Sequence, residues 1–181
     1  MQAGRALDAS PDPDTLSPMD ITIRQAREGD AASVSAILGE AAEWLISRGT
    51  PMWRGEELTP QRIAADIAAR EFFIAEAGGE PVGTLKFQWE DPLFWPDQPE
   101  GGAAYIHRLA VRRSASGGGV SRALMDWAAA RAREAGRRRL RLDCEASRTR
   151  LREVYEAFGF RFHSEREVGP YHVSRYELPL D

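Results

Sequence analysis

The chain has 181 residues and a formal net charge of −4, from 24 basic and 28 acidic side chains. With 29% charged and 43% hydrophobic residues it falls outside both disordered polymers and membrane proteins, and at roughly 150 residues per domain it should fold as one unit. Its mildly acidic balance offers no global field to nucleic acid or anionic lipid, and a single cysteine, Cys144, excludes an internal disulfide and any multi-cysteine metal site.

Residues 1–18 carry prolines and no apolar periodicity, which predicts a disordered leader before a domain over 19–181. They show no charged, apolar and cleavage regions in series, so a cytoplasmic protein is expected. No apolar run exceeds four residues, against about 20 for a spanning helix. A first strand runs from Ile21 to Arg24. Asp30 then reads as the N-cap of a helix, with Val34, Ile37, Leu38, Ala41 and Leu45 at helical spacing and Gly49 and Pro51 as its stop. Thr59-Pro60 opens a second helix, threonine capping and proline at the first helical position. Glu71–Ala77 and Pro81–Glu90 form a hairpin about Gly78-Gly79. A loop rich in proline and aromatics, Asp91–Gly102, leads to a strand over Ala103–Val111.

The third helix is the clearest, with Val120, Ala123, Leu124, Trp127 and Ala128 in one stripe and Gly136 at its end. A strand Arg139–Cys144 follows, then a helix Arg148–Phe158 with Leu151, Val154, Tyr155 and Phe158 on one face and Gly159 as its cap. Strands near Phe160–Arg166 and His172–Leu178 finish the chain. This order predicts an α/β domain, a mixed and mostly antiparallel sheet flanked by about four helices.

Arg112–Arg122 (RRSASGGGVSR) joins a strand to the strongest helix. Successive main-chain N–H groups there can point at an anion, and glycines let a phosphate approach without a Cβ in the way. A P-loop requires Gly-Lys-Ser/Thr, and a dinucleotide fingerprint requires a glycine where Arg122 stands; neither fits. Instead the segment resembles the pyrophosphate loop of the GNAT superfamily of acyl-CoA-dependent N-acyltransferases, Arg/Gln-x-x-Gly-x-Gly/Ala after a strand ending Leu-x-Val. Leu109-Ala110-Val111 matches that strand end, and Ser116-Gly117-Gly118-Gly119-Val120-Ser121 lies at the loop's spacing. Ser116 replaces the Arg/Gln and Ser121 the last small residue. Downstream, Leu151 and Val154–Phe160 (VYEAFGF) are similar to the family's Leu-Tyr-Glu-x-x-Gly-Phe, with Arg148 where an asparagine is usual.

The resemblance runs from about Ile21 to Leu178 and implies a splayed sheet, opened between the Ala103–Val111 and Arg139–Cys144 strands. It implies acetyl-CoA as co-substrate, pantetheine against Leu109, Ala110 and Val111, phosphates at Ser116–Arg122, a further contact from Arg148, and no metal. The activity implied is transfer of an acetyl group to the primary amine of a small molecule, by a monomer or homodimer with no nucleic-acid or membrane partner. A non-catalytic acyl-CoA-binding protein is the alternative, motivated by Ser116, Ser121 and Arg148.

Such chemistry needs a neutral amine, an oxyanion donor and an acid for the leaving thiolate. Tyr155 is the acid candidate, although its place on an apolar stripe equally fits core packing. His107 is the leading base candidate, since an imidazole near pKa 6.5 accepts a proton at neutral pH; arylalkylamine N-acetyltransferases, a branch of the superfamily, carry His-x-His at the places of Tyr105 and His107. Alternation puts Tyr105, His107, Leu109 and Val111 on one face of their strand. Glu90 and Asp91, at a strand end, are further candidates for proton transfer or for binding an ammonium group. Cys144 follows Leu140 and Leu142 and reads as a buried small hydrophobe. Eight arginines between 131 and 150 face three acids, complementing a helix terminus or attracting the coenzyme. Trp44, Trp53, Phe87, Trp89, Phe94 and Trp95 are either core or walls of an acceptor pocket.

Overall fold

Seven strands form one sheet in the order β1-β2-β3-β4-β5-β7-β6. A computed structural model describes residues 20–180, so the leader expected over 1–18 lies outside the described residues. The elements are β1 (Ile21–Gln25), α1 (Ala31–Ser47), α2 (Pro60–Ala68), β2 (Phe72–Ala77), β3 (Glu80–Gln88), β4 (Ala103–Val111), α3 (Val120–Glu134), β5 (Arg139–Glu145), α4 (Thr149–Phe158), β6 (Arg161–Val168) and β7 (Tyr171–Pro179). All neighbouring strands pair antiparallel except β4 and β5. None of the described helices is long and apolar enough to cross a membrane.

The local signals act largely as expected. Thr59 Oγ1 accepts the Arg62 N–H at the start of α2, with Pro60 at its first position. Gly78 and Gly79 both take positive φ in the β2–β3 turn, 59° and 82°, which glycine adopts without steric cost. Asp30 precedes α1 but does not cap it; its carboxylate is taken by Arg24 at 2.7 Å and by the Arg27 amide.

Each face of the sheet is covered by two helices. Val34, Ile37 and Leu38 of α1 and Ile63 and Ile67 of α2 pack on Phe72, Ile74 and Ala110. On the other face Leu124, Met125 and Ala128 of α3 and Tyr155 of α4 pack on Phe73, Leu85, Ile106, Leu140 and Leu142. At about 1.5–3 kcal/mol for each fully buried large apolar side chain, these two layers supply most of the drive to fold. The expected apolar face of α4 is narrower than its spacing implies, because Val154 points to solvent at 48% exposure. Gly83 in β3 lets α3 approach closely: a Cβ there would lie 2.8 Å from Val120 Cγ1 and 3.2 Å from the Ala110 carbonyl oxygen.

Two irregularities in β4 shape everything that follows. First, Thr84 of β3 faces Ala110 and Lys86 faces His107, so β4 holds one residue more than its partner over that stretch. The extra residue is a bulge at Arg108, whose φ is +51°. It overturns the expected alternation. Ala103 and Tyr105 pack with Trp95, and Ala110 with α1 and α2, whereas Ile106, Leu109 and Val111 all join the α3 side. Leu109 and Val111 therefore do not share a face with Tyr105 and His107. Second, β4 and β5 pair only from Ala103–Arg139 to Ile106–Leu142. Beyond Ile106 the strands part, and this is the splay expected between them.

Candidate active site

His107 and Asp143 are the first residues past the last β4–β5 pair, at the apex of the fork. His107 Nδ1 lies 3.4 Å from Asp143 Oδ1, and Nε2 lies 3.2 Å from Asp91 Oδ2. All three side chains are largely buried, at 14%, 11% and 5% exposure for His107, Asp143 and Asp91. Asp91 is fixed by its other oxygen, which accepts the amides of Leu93 and Phe94 at 3.1 and 3.0 Å. The loop that carries it is pinned to the sheet. Trp95 is buried with the guanidinium groups of Arg141 and Arg175 at 4.8 and 4.7 Å from its ring, and Asp97 pairs with Arg175 at 2.6 Å.

The electrostatics of this cluster set its protonation. Burial favours the neutral imidazole, but the two carboxylates outweigh it and raise the His107 pKa. A carboxylate near each nitrogen favours the doubly protonated ring, which has no lone pair to accept another proton. Burial also works to raise Asp91, yet His107 and the two turn amides hold its carboxyl below the ordinary value. Asp143 is pushed up to about 6, chiefly by burial and further by Asp91, with His107 acting in the opposite sense. A carboxylate of that pKa is suited to taking a proton near neutrality. These three form the one group of His, Cys, Asp or Glu side chains among the described residues whose ligand atoms lie within 4.8 Å of one another. A cation would need one ring nitrogen stripped of its proton, whereas the carboxylates sit at two different nitrogens, an arrangement that suits an imidazolium.

Across the sheet, Tyr155 of α4 is 6% exposed and packs edge-on to Phe160 and obliquely to Tyr176. Burial raises its phenol above the ordinary tyrosine value, and Cys144 and Asp143 act in the same sense. It is a protonated donor throughout the neutral range. Cys144 is 3% exposed with its thiol pushed up to about 12 by burial, so it is a core residue as its alternation implies. Arg148 precedes α4 and donates to the Thr50 carbonyl in the loop after α1, joining the two faces of the sheet where β4 and β5 have separated. Its Nε is buried without an acceptor among the described residues.

The glycine loop opens at the free end of β4. Gly117 and Gly119 take φ of +85° and +80°, and no atom lies within 4 Å of where either Cβ would be. The first-turn amides of Val120, Ser121 and Arg122 have no intrahelical acceptor, and Ser116 through Gly119 are exposed.

Other expected participants lie elsewhere. Glu90 accepts the Gly101 amide at 3.0 Å and pairs with Arg137 at 3.3 Å, so Asp91 and not Glu90 is the acid at His107. Trp44 is capped by Arg113, 4.3 Å above its ring, and Phe87 belongs to the core. The arginines of 131–150 do not form one patch: Arg139 and Arg141 pair with Glu177, Arg137 with Glu90, and Arg131 lies among aromatic rings. Asp143 was not apparent as a site residue, although Arg139, Arg141 and Asp143 alternate with buried Leu140, Leu142 and Cys144 along β5.

A profile of the Acetyltransferase (GNAT) family matches residues 38–160. The chain is 28% identical to the uncharacterized N-acetyltransferase YesJ of Bacillus subtilis over 161 residues, 84% of this chain and 87% of that protein. Among solved structures, a GNAT-family acetyltransferase of Listeria monocytogenes superposes with a TM-score of 0.72 at 22% identity, covering 88% of this chain and 95% of that one. The protein yncA of Salmonella typhimurium, solved with its cofactor acetyl-CoA, gives 0.67 at 19% identity over 90% and 95%.

Proposed function

The chain belongs to the GNAT acetyltransferase family, and from that membership we propose that it transfers an acetyl group from acetyl-CoA directly to the primary amine of a small acceptor. The coenzyme supplies a thioester-activated acyl group. Ser116, Gly117, Gly118, Gly119, Val120, Ser121 and Arg122 hold its phosphates with main-chain amides and the positive end of α3. The main chain of Leu109, Ala110 and Val111, unpaired on the β5 side, takes the pantetheine as an added strand, with Arg148 at the opposite wall.

The observation that carries this reading is the fork itself, an unpaired strand edge leading from an anion cradle to a buried carboxylate–imidazole cluster. An ordinary amine with a pKa of about 10.4 is more than 99% charged at neutral pH, so it must lose a proton before it attacks. Asp143 accepts that proton; His107, held as the imidazolium between Asp91 and Asp143, positions the carboxylate and tunes it. A main-chain N–H at the Arg108 bulge serves the developing oxyanion; as the intermediate collapses, Tyr155 gives its proton to the leaving sulfur and regains one from the nitrogen, which sheds its surplus proton on becoming an amide. Fixing amine and thioester together at the apex supplies much of the acceleration.

The test is incubation with acetyl-CoA and a panel of primary amines while free thiol is read. Amine-dependent thiol release with matching acetylated product is expected. Tight coenzyme binding with no release across the panel would favour a non-catalytic binding protein, consistent with the departures at Ser116, Ser121 and Arg148.

A further inference from the structure

A second concavity lies at the end of the sheet remote from the glycine loop. The end of β3, the start of β2 and the C-terminal part of α3 meet there below the last turn of α2, around a space of about 310 Å³. Its walls include Phe73, Phe87 and Trp89, two arginines, Arg131 and Arg70, and the polar side chains of Gln25 and Gln88. The Arg131 guanidinium carbon lies 5.3 Å from the Phe73 ring centre, 5.6 Å from Trp127, 5.8 Å from Trp89 and 5.9 Å from Phe87. The rings' negative faces hold the cation in place. Aromatic faces do not accept its in-plane hydrogens, however, and Nε is buried with no acceptor among the described residues. No carboxylate pairs with Arg131 or Arg70 among those residues either.

Glu71 also lines the space, but its carboxylate is already engaged by Lys86 at 3.0 Å and by the Gln88 amide at 3.0 Å. Arg70 adds a second sign. It stands just past the end of α2 at a φ of +63°, where glycine is the unstrained choice, and it presents an exposed cation at the rim. The space thus combines aromatic rings in its wall with an excess of positive charge from Arg131 and Arg70. The volume equals that of about ten waters at roughly 30 Å³ each, or a molecule of about ten heavy atoms.

We propose that this cavity is a binding site for a small organic carboxylate with a flat apolar body, the carboxylate on the Arg131 guanidinium edge and the body against Phe73, Phe87 and Trp89. A planar guanidinium fork matches a carboxylate in two parallel hydrogen bonds. The site lies apart from the fork and does not depend on the acetyl-transfer reading.

Benzoate is a suitable probe, titrated into the full chain with tryptophan fluorescence as the readout. Saturable binding in the millimolar range or tighter is expected, at least tenfold stronger than for benzamide, which keeps the shape and lacks the charge. Arg131→Met should weaken it at least tenfold, and saturating coenzyme A should not displace it. Arg70→Gly, which relieves the backbone rather than straining it, should weaken binding several-fold without lowering the melting temperature, so the outcome is decided even if Arg131→Met does not fold. No saturable signal, equal affinity for benzamide, unchanged binding in both variants, or displacement by coenzyme A would each overturn the proposal.

Discussion

Asp143 and His107 make opposite predictions about which of them accepts the proton. If Asp143 is the base, activity depends on its carboxylate, so kcat/KM should rise with pH through a value of about 6. Asp143→Asn keeps the shape and removes the basic oxygen, and turnover should fall by about 10²–10⁴-fold with loss of that limb. The informative variant is His107→Gln. The imidazolium favours the Asp143 carboxylate, so removing it raises the carboxyl pKa further, and the acidic limb should move to higher pH. Disappearance of the limb would instead assign the proton to His107. Tyr155→Phe preserves the ring that packs on Phe160 and Tyr176 but removes the donor. Steady-state kinetics should show kcat down by about 10²-fold with coenzyme affinity spared; normal turnover would leave the tyrosine a packing residue only. Because burial raises this phenol, any alkaline limb belongs above the ordinary tyrosine range.

Among the elements, α3 carries the most consequence for its placement, since its N-terminus holds the glycine loop. Gly83 sets that placement by allowing Val120 to within contact of the β3 backbone. Gly83→Ala should destabilise the protein by about 1–3 kcal/mol, since the helix must lift to admit a methyl group. It should also raise KM for acetyl-CoA more than it lowers kcat; denaturation curves and kinetics on one preparation check both. Helices and strands were legible because their cues are local: Thr59-Pro60, the Gly78-Gly79 turn and the α3 stripe each act within a few residues. The glycine loop was legible for the same reason. The Asp91–His107–Asp143 cluster was not, because three separate elements bring it together. Nor could neighbouring Glu90 and Asp91 be told apart. Which of them faces His107 depends on a turn fixed by Trp95, Arg141 and Arg175, and these contacts span up to about half the chain.

At the level of the whole molecule, two sets of strands are joined by only four residue pairs between β4 and β5, while α3 and its apolar layer bridge them. The splay was legible through family resemblance, but the bulge beside it had no signature. Bulges with a positive φ commonly carry glycine, and here the residue is arginine, tied instead to the Glu57 carbonyl at 2.9 Å. That one supernumerary residue decides which side chains each half of β4 sends to which layer. Replacing a side chain in this strand alters one contact and leaves the rest in place. Flattening the bulge without shortening the strand would exchange the occupants of two layers, sending Leu109 and Val111 toward α1 and Ala110 toward α3, whereas deleting Arg108 would restore strict alternation with each still in its present layer. Along this strand, a single uncounted residue is what keeps the two layers filled as they are.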